Sequence, residues 1–124
     1  MPKDGIISYM LKSFGYAVDG IVWSFKHHIT FRIYIAFAVL AYLSAVILKV
    51  TAGDFIIITF TVSLCLVAEM VNTCIEEVTD LITVKWAHQA KIAKDVAAGM
   101  SFITATTSVI IGISIFTPYI MALV

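Results

Sequence analysis

The charged residues of this chain stand far apart. Sixteen uncharged residues separate Arg32 from Lys49, fourteen separate Asp54 from Glu69, and none of the twenty-nine residues after Asp95 is charged. A helix that spans a membrane needs about 20 mostly apolar residues. The last stretch meets this requirement outright, and the first does so when its flanks are included. The middle stretch meets it only if Glu69 and the residues after it also lie at membrane depth.

The composition agrees with a membrane protein. Hydrophobic residues make up 61% of the chain and charged residues 13%, whereas soluble domains average about 45–50% and about 25%. The net charge of zero argues against a nucleic-acid-binding protein. The sequence therefore predicts an all-α membrane protein with one domain, residues 1–124. The predicted transmembrane helices are 29–50, 54–80 and 95–121.

A different pattern occupies residues 5–26. Apolar side chains recur there at helical spacing, at Ile6, Ile7, Met10, Phe14, Ala17, Val18, Ile21 and Phe25. Charged residues lie around and among them, and Trp23 would suit the lipid headgroup region. The pattern predicts an amphipathic helix on the membrane surface. A helix that only packs against the others is the alternative.

The basic residues predict an orientation. They concentrate before the first span and between the second and third, at Lys3, Lys12, Lys26, Arg32, Lys85, Lys91 and Lys94. By the positive-inside rule the N-terminus and the 83–94 loop are cytoplasmic and the C-terminus lies outside. Asp54 is predicted to be the N-cap of the second span.

Polar residues form a stripe along the second span. At about 100° per residue, Glu69, Asn72, Glu76 and Asp80 share one helix face, whereas Glu77 lies off it. Such residues are costly toward lipid and usually functional. Three acids on one face repel each other without a cation, and a divalent ion with oxygen ligands would neutralise them. A polar seam that only fixes helix packing is the alternative.

Lys91 and Lys94 open the third span near the top of this stripe. Ammonium groups beside a carboxylate–metal site favour a polyphosphate ligand, because Mg²⁺ is often bound by a few carboxylates together with substrate phosphates. Attraction to anionic lipid would also explain the two lysines. The sequence has no Walker A motif and no G-x-G-x-x-G motif, which argues against both a Walker-type nucleotide-binding fold and a protein-kinase fold.

Two motifs now support a family resemblance. Glu69-x-x-Asn72-Thr73-x-Ile75-Glu76 followed by Asp80, and the run from Ala93 through Lys94-Asp95 to Gly99, resemble the prokaryotic diacylglycerol kinase/undecaprenol kinase family. The resemblance implies a homotrimer that transfers phosphate from ATP, with Mg²⁺, to a membrane lipid alcohol, undecaprenol or diacylglycerol. It also implies that Glu69 is the general base.

The resemblance implies further site residues. The residues expected to hold the nucleotide are Tyr16, Asn72, Glu76, Lys85, Trp86, Lys94 and Asp95. Glu76 is also the expected metal ligand, and Arg32, Glu69 and Ala98 are expected to contact the lipid. The runs around Arg32 and Ala98 look more like the undecaprenol kinase branch.

His28 departs from the family pattern, which has a second metal-binding glutamate at this position. Imidazole suits transition metals better than Mg²⁺. Three interpretations stay open: a weaker metal site with one carboxylate, a different metal or a phosphate contact at His28, or an impaired kinase. A small oligomeric cation channel, a proton-relay protein or a scaffold subunit is the alternative to the kinase class.

Overall fold

A computed structural model describes residues 5–124 of the chain as four helices. They are α1 (Gly5–His27), α2 (Ile29–Ile47), α3 (Ala52–Ile82) and α4 (His88–Met121). The predicted all-α class is confirmed. The helices α2, α3 and α4 are each long and apolar enough to cross a membrane. Lys3 and Asp4, which entered the sequence predictions, lie outside the described residues.

The helix α3 is the centre of the bundle, because both α2 and α4 pack against it. At 31 and 34 residues, α3 and α4 are longer than the predicted transmembrane segments 54–80 and 95–121. The helix α4 begins at His88, about two turns before the predicted start, whereas α3 extends by two residues at each end, so most of the extra length lies beside the 83–87 loop that joins them. We call this end of the bundle the loop end, and the end that holds the α2–α3 turn the opposite end.

A Schellman motif ends α2. The amide of Lys49 donates to the carbonyl of Val46 over 3.3 Å, and the amide of Val50 donates to the carbonyl of Ala45 over 3.2 Å. Lys49 has φ 51, in the left-handed region where glycine is the usual residue. Val50 packs against the cluster that contains Ala45, which supplies the hydrophobic contact typical of this motif. The turn to α3 is therefore tight and closely defined.

The opposite end also holds the main apolar cluster. Ala45, Ile58 and Ile115, one residue from each long helix, are buried together. Beside them, the hydroxyl of Tyr119 donates to Asp54 over 2.5 Å and accepts from the amide of Thr51 over 3.0 Å. These contacts tie the end of α4 to the start of α3.

The predicted N-cap of α3 was wrong. Thr51, not Asp54, is the capping residue, and its hydroxyl accepts from the amide of Asp54 over 3.2 Å. Asp54 lies in the first turn of the helix, where a carboxylate interacts favourably with the helix dipole. Its carboxylate is instead the acceptor for Tyr119.

The helix α1 contacts the rest of the chain through α2. Ser24 is its buried residue, and the Ser24 hydroxyl donates to the carbonyl of Gly20 over 2.9 Å. Most of the apolar side chains of α1, such as Ile7 and Phe14, are exposed in the isolated chain. The position of α1 on a membrane surface stays a prediction.

Candidate active site

Glu69 lies on the buried face of α3. That face runs from Ile58 through Cys65 to Glu69, Asn72 and Thr73. It is apolar toward the opposite end of the bundle, where it forms part of the core, and polar toward the loop end. Glu69 is only 4% exposed. A carboxylate so placed needs a polar partner, because burial of an unpaired charge is costly.

Ser101 on α4 is that partner. Its hydroxyl donates to Glu69 Oε2 over 3.2 Å and lies 3.5 Å from the carbonyl of Ala68. Ser101 is 7% exposed, so the pair is enclosed between α3 and α4. The hydrogen bond from Ser101 is to Oε2, so the second carboxylate oxygen, Oε1, lies outside this contact. Ser101 was not among the predicted site residues.

One turn toward the loop end, Asn72 and Glu76 form a second pair. The amide nitrogen of Asn72 donates to Glu76 Oε1 over 3.4 Å. Asn72 Oδ1 is buried, and within residues 5–124 it has no hydrogen-bond partner. Buried polar oxygens nearly always have a partner, so this one calls for an explanation. Asn72 Oδ1 and the half-buried Glu76 carboxylate together offer the hard oxygen ligands that Mg²⁺ prefers.

His28 lies at the edge of the same region. It is the residue before α2, with extended backbone, and its ring is tilted against Trp23 at a centroid distance of 5.4 Å. Both His28 and Glu76 are close enough to Glu69 to interact with it electrostatically. Across the described part of the chain, however, no three acidic, histidine or cysteine side chains converge as a metal site. Any Mg²⁺ held here would need further oxygen ligands, from water or a substrate.

The predicted phosphate-contacting residues meet at the loop end. Lys94 Nζ lies 2.6 Å from Asp80 Oδ1 and so joins α4 to the polar stripe of α3. Lys91 pairs with Asp95 within α4. A pocket of about 410 Å³ is lined by side chains of this region, including Asp80, Lys85, Trp86, Lys91, Lys94 and Asp95. The structure thus brings four of the predicted nucleotide-contacting residues, Lys85, Trp86, Lys94 and Asp95, into one pocket.

Other predicted site residues lie outside the contacts described above. Tyr16 on α1 is 71% exposed, and Arg32 and Ala98 are also exposed. Within the 93–99 motif it is Ala97, at 1% exposure, that is buried. Glu77 is exposed, as its angle on the helix predicted.

Comparison with known proteins identifies the family of this chain. The sequence model of the family described as prokaryotic diacylglycerol kinase matches residues 15–116, which include the whole polar stripe and the Lys94–Asp95 motif. The chain belongs to the prokaryotic diacylglycerol kinase family. The resemblance that the two motifs indicated is confirmed, and the family is one of lipid kinases.

Two characterised members are similar over most of the chain. A protein of Synechocystis named diacylglycerol kinase is 34% identical over 115 residues, which cover 92% of this chain and 66% of that protein. A protein of Bacillus subtilis named undecaprenol kinase is 33% identical over 112 residues, which cover 90% of this chain and 91% of that protein. The chain therefore spans slightly under two thirds of the first relative and nearly all of the second. Tyr119 lies beyond the residues that the family model matches.

Proposed function

We propose that this family member phosphorylates a membrane lipid alcohol with ATP, and that Glu69 is the general base. The observation that carries the proposal is the enclosed Glu69–Ser101 pair, about one turn from the orphaned Asn72 oxygen and about two turns from Glu76. The supporting context is the family and the names of its relatives, diacylglycerol kinase and undecaprenol kinase.

The chemistry follows from the order of these groups along α3. The alcohol oxygen forms a bond to the γ-phosphorus of ATP as the bond from that phosphorus to the bridging oxygen breaks, which releases ADP. Glu69 accepts the hydroxyl proton on Oε1, the carboxylate oxygen that Ser101 does not contact. Phosphoryl transfer depends mainly on positioning and on neutralising the phosphate oxygens. In this proposal the positive charge of Lys94 serves that purpose, together with the Mg²⁺ that Glu76 would hold.

Glu76 and Asn72 would hold Mg²⁺ together with ATP oxygens, since one or two carboxylates plus substrate phosphates are its usual ligand set. When bound, the ion supplies positive charge next to the transferred phosphate. His28 contributes no oxygen ligand. The Lys85, Trp86 and Asp95 side chains of the loop-end pocket would hold the rest of the nucleotide, with Tyr16 of α1 closing on it. Arg32 and Ala98 would lie beside the lipid.

We also propose the assembly and orientation that the sequence predicts, a homotrimer with the loop end in the cytoplasm. Exposed apolar side chains on α2 and α4, such as Phe37, Leu40, Phe102 and Ile103, leave room for contacts with lipid or other protomers. Light scattering of the purified protein in detergent tests the trimer. Labelling of single cysteines placed in the 83–87 loop, from either side of a sealed vesicle, tests the orientation.

Transfer of labelled phosphate from ATP into lipid is the deciding experiment. The purified chain in mixed micelles is given diacylglycerol or undecaprenol in parallel, as wild type, Glu69→Gln and the control Glu77→Gln. We expect Glu69→Gln to lose at least about 100-fold in transfer rate, the scale of general-base catalysis, and to bind ATP as wild type does. The control should keep full activity. Wild-type transfer rates in Glu69→Gln would refute the role of Glu69, and no labelled lipid from wild type with either alcohol would refute the kinase proposal.

A further inference from the structure

Four serine and threonine residues of the described chain are buried, and Thr73 on α3 differs from the other three. The hydroxyls of Ser24 and Thr79 donate to carbonyl oxygens of their own helices over 2.9 Å and 2.6 Å. The Ser101 hydroxyl donates to Glu69. Thr73 is 4% exposed, and its hydroxyl oxygen is buried without a hydrogen-bond partner among residues 5–124. Buried hydroxyls nearly always have a partner, so this one calls for a physical reason.

Neither α3 nor α4 supplies an acceptor for the Thr73 hydroxyl. A threonine inside a helix often donates to the carbonyl four residues earlier, here that of Glu69, but Thr73 does not make this bond. On α4, Lys94 and Ser101 contact α3 on either side of Thr73. The buried residue between them is Ala97, whose side chain has no polar atom. The hydroxyl is therefore a donor available to a ligand.

Thr73 lies between the proposed base and the proposed metal ligand. It follows Glu69 by four residues and precedes Glu76 by three, and residues at these spacings are neighbours on a helix surface. In the proposed reaction the phosphoryl group moves from the nucleotide, held beside Glu76, to the alcohol at Glu69. The Thr73 side chain is thus next to the path of the transferred group. A threonine in a helix has two accessible χ1 rotamers, so rotation about one bond turns its hydroxyl to a new partner.

We propose that Thr73 is a further catalytic residue, whose hydroxyl donates a hydrogen bond to a non-bridging oxygen of the phosphoryl group during transfer. The inference rests on the proposed function and deepens it. The hydroxyl keeps its proton and forms no covalent bond, since Glu69 accepts the proton of the alcohol. A donor without a partner in the free protein gives up no hydrogen bond when it meets these oxygens, so it can stabilise the transition state selectively.

Replacing Thr73 by Val tests this, because it removes the hydroxyl and keeps the shape of the side chain. We expect kcat for lipid phosphorylation to fall about 100-fold, the scale for loss of one such donor. The KM for ATP should stay within about threefold of wild type, as for a contact made in the transition state. The melting temperature in detergent should rise, because a methyl group replaces a buried hydroxyl that has no partner.

Two further variants separate the hydroxyl from the rest of the side chain. Thr73→Ser keeps the hydroxyl and should stay within about tenfold of the wild-type kcat. Thr59→Val is the control, since it makes the same exchange on α3 at an exposed residue whose hydroxyl donates to the carbonyl of Phe55 over 3.0 Å. Its kcat should match that of wild type.

A transition-state analogue gives a measurement that does not depend on turnover. ADP with aluminium fluoride imitates the phosphoryl group in transit, and displacement of a fluorescent nucleotide measures its affinity. We expect wild type to bind this analogue at least about tenfold more tightly than Thr73→Val does. The two proteins should bind ATP with affinities within about threefold of each other.

Other outcomes overturn the inference. A kcat of Thr73→Val close to that of wild type, or equal affinities for the analogue, would show that the hydroxyl does not contact the transferred group. A lower melting temperature in Thr73→Val would reveal a structural partner, and an equal loss of kcat in Thr73→Ser would assign the effect to the methyl group. These comparisons are made against an active wild type. If wild type phosphorylates neither alcohol, the proposed function itself has failed.

Discussion

Ser101 Oγ lies 3.2 Å from Glu69 Oε2, across the contact between α4 and α3, and both residues are almost entirely buried. The hydrogen bond fixes one oxygen of the carboxylate and leaves the other free. Ser101 is therefore a positioning residue for the proposed base.

Replacing Ser101 by Ala should lower kcat for lipid phosphorylation about 10- to 100-fold, because a hydrogen bond to a charged group is worth about 1.5–3 kcal/mol. The KM for ATP should stay within about twofold of wild type. Thr106→Ala is the control, since the Thr106 hydroxyl donates within α4 to the carbonyl of Phe102 and is exposed. Ser101→Thr, which keeps the hydroxyl, should recover part of the rate. A purely structural role would instead lower the melting temperature and leave kcat of the folded protein unchanged.

Much of this site could be predicted from sequence because helical angle is a local property. The 100° rotation per residue put Glu69, Asn72, Glu76 and Asp80 on one face, and the Asn72–Glu76 hydrogen bond lies along that face. Glu77 is exposed as expected. The all-helical fold could also be predicted from sequence, because the uncharged stretches between charged residues are about as long as membrane-spanning helices.

Ser101 could not be found in this way, because its partner is 32 residues away on another helix. A serine in an apolar stretch usually bonds to its own helix backbone, as Ser108 does. The prediction of the N-cap residue of α3 was wrong for a related reason. Thr51 and Asp54 are both good capping residues, and the distant Tyr119 hydroxyl engages the Asp54 carboxylate.

Lys94 should matter more to ATP than Lys91 does. Lys94 contacts Asp80 across the α3–α4 contact at the top of the polar stripe, whereas Lys91 pairs with Asp95 inside α4. We expect Lys94→Gln to raise the KM for ATP at least tenfold, with Lys91→Gln as the control at less than threefold. Both ion pairs are substantially exposed, so neither variant should lower the melting temperature appreciably. Equal effects of the two substitutions on KM would point to general attraction of ATP by positive charge.

Tyr119 should contribute to stability and not to catalysis. Tyr119→Phe removes the donor to Asp54 and the acceptor of the Thr51 amide, at the end of the bundle away from Glu69. Loss of a hydrogen bond to a charged group costs about 1.5–3 kcal/mol, so the melting temperature in detergent should fall by several degrees. Tyr42→Phe is the control, since the Tyr42 ring packs against Phe55 at a centroid distance of 5.6 Å. A fall in kcat at low temperature, where the variant is folded, would contradict a role limited to stability.

The His28 position decides how tightly the metal binds. His28 and Glu76 both lie within electrostatic range of Glu69, yet Glu76 is the nearby stripe residue that offers a carboxylate to Mg²⁺. His28→Glu adds a hard oxygen ligand and a negative charge, so the Mg²⁺ concentration for half-maximal ATP turnover should fall at least tenfold. His27→Glu is the matched control, because His27 is exposed and stacked on Trp23, with its ring nitrogen 2.9 Å from the Trp23 carbonyl. An unchanged or higher Mg²⁺ requirement in His28→Glu, with His27→Glu like wild type, would mean that His28 does not face the ion. A gain in ATP turnover with Zn²⁺ or Mn²⁺ in wild type that is lost in His28→Ala would instead identify the imidazole as a ligand for a transition metal.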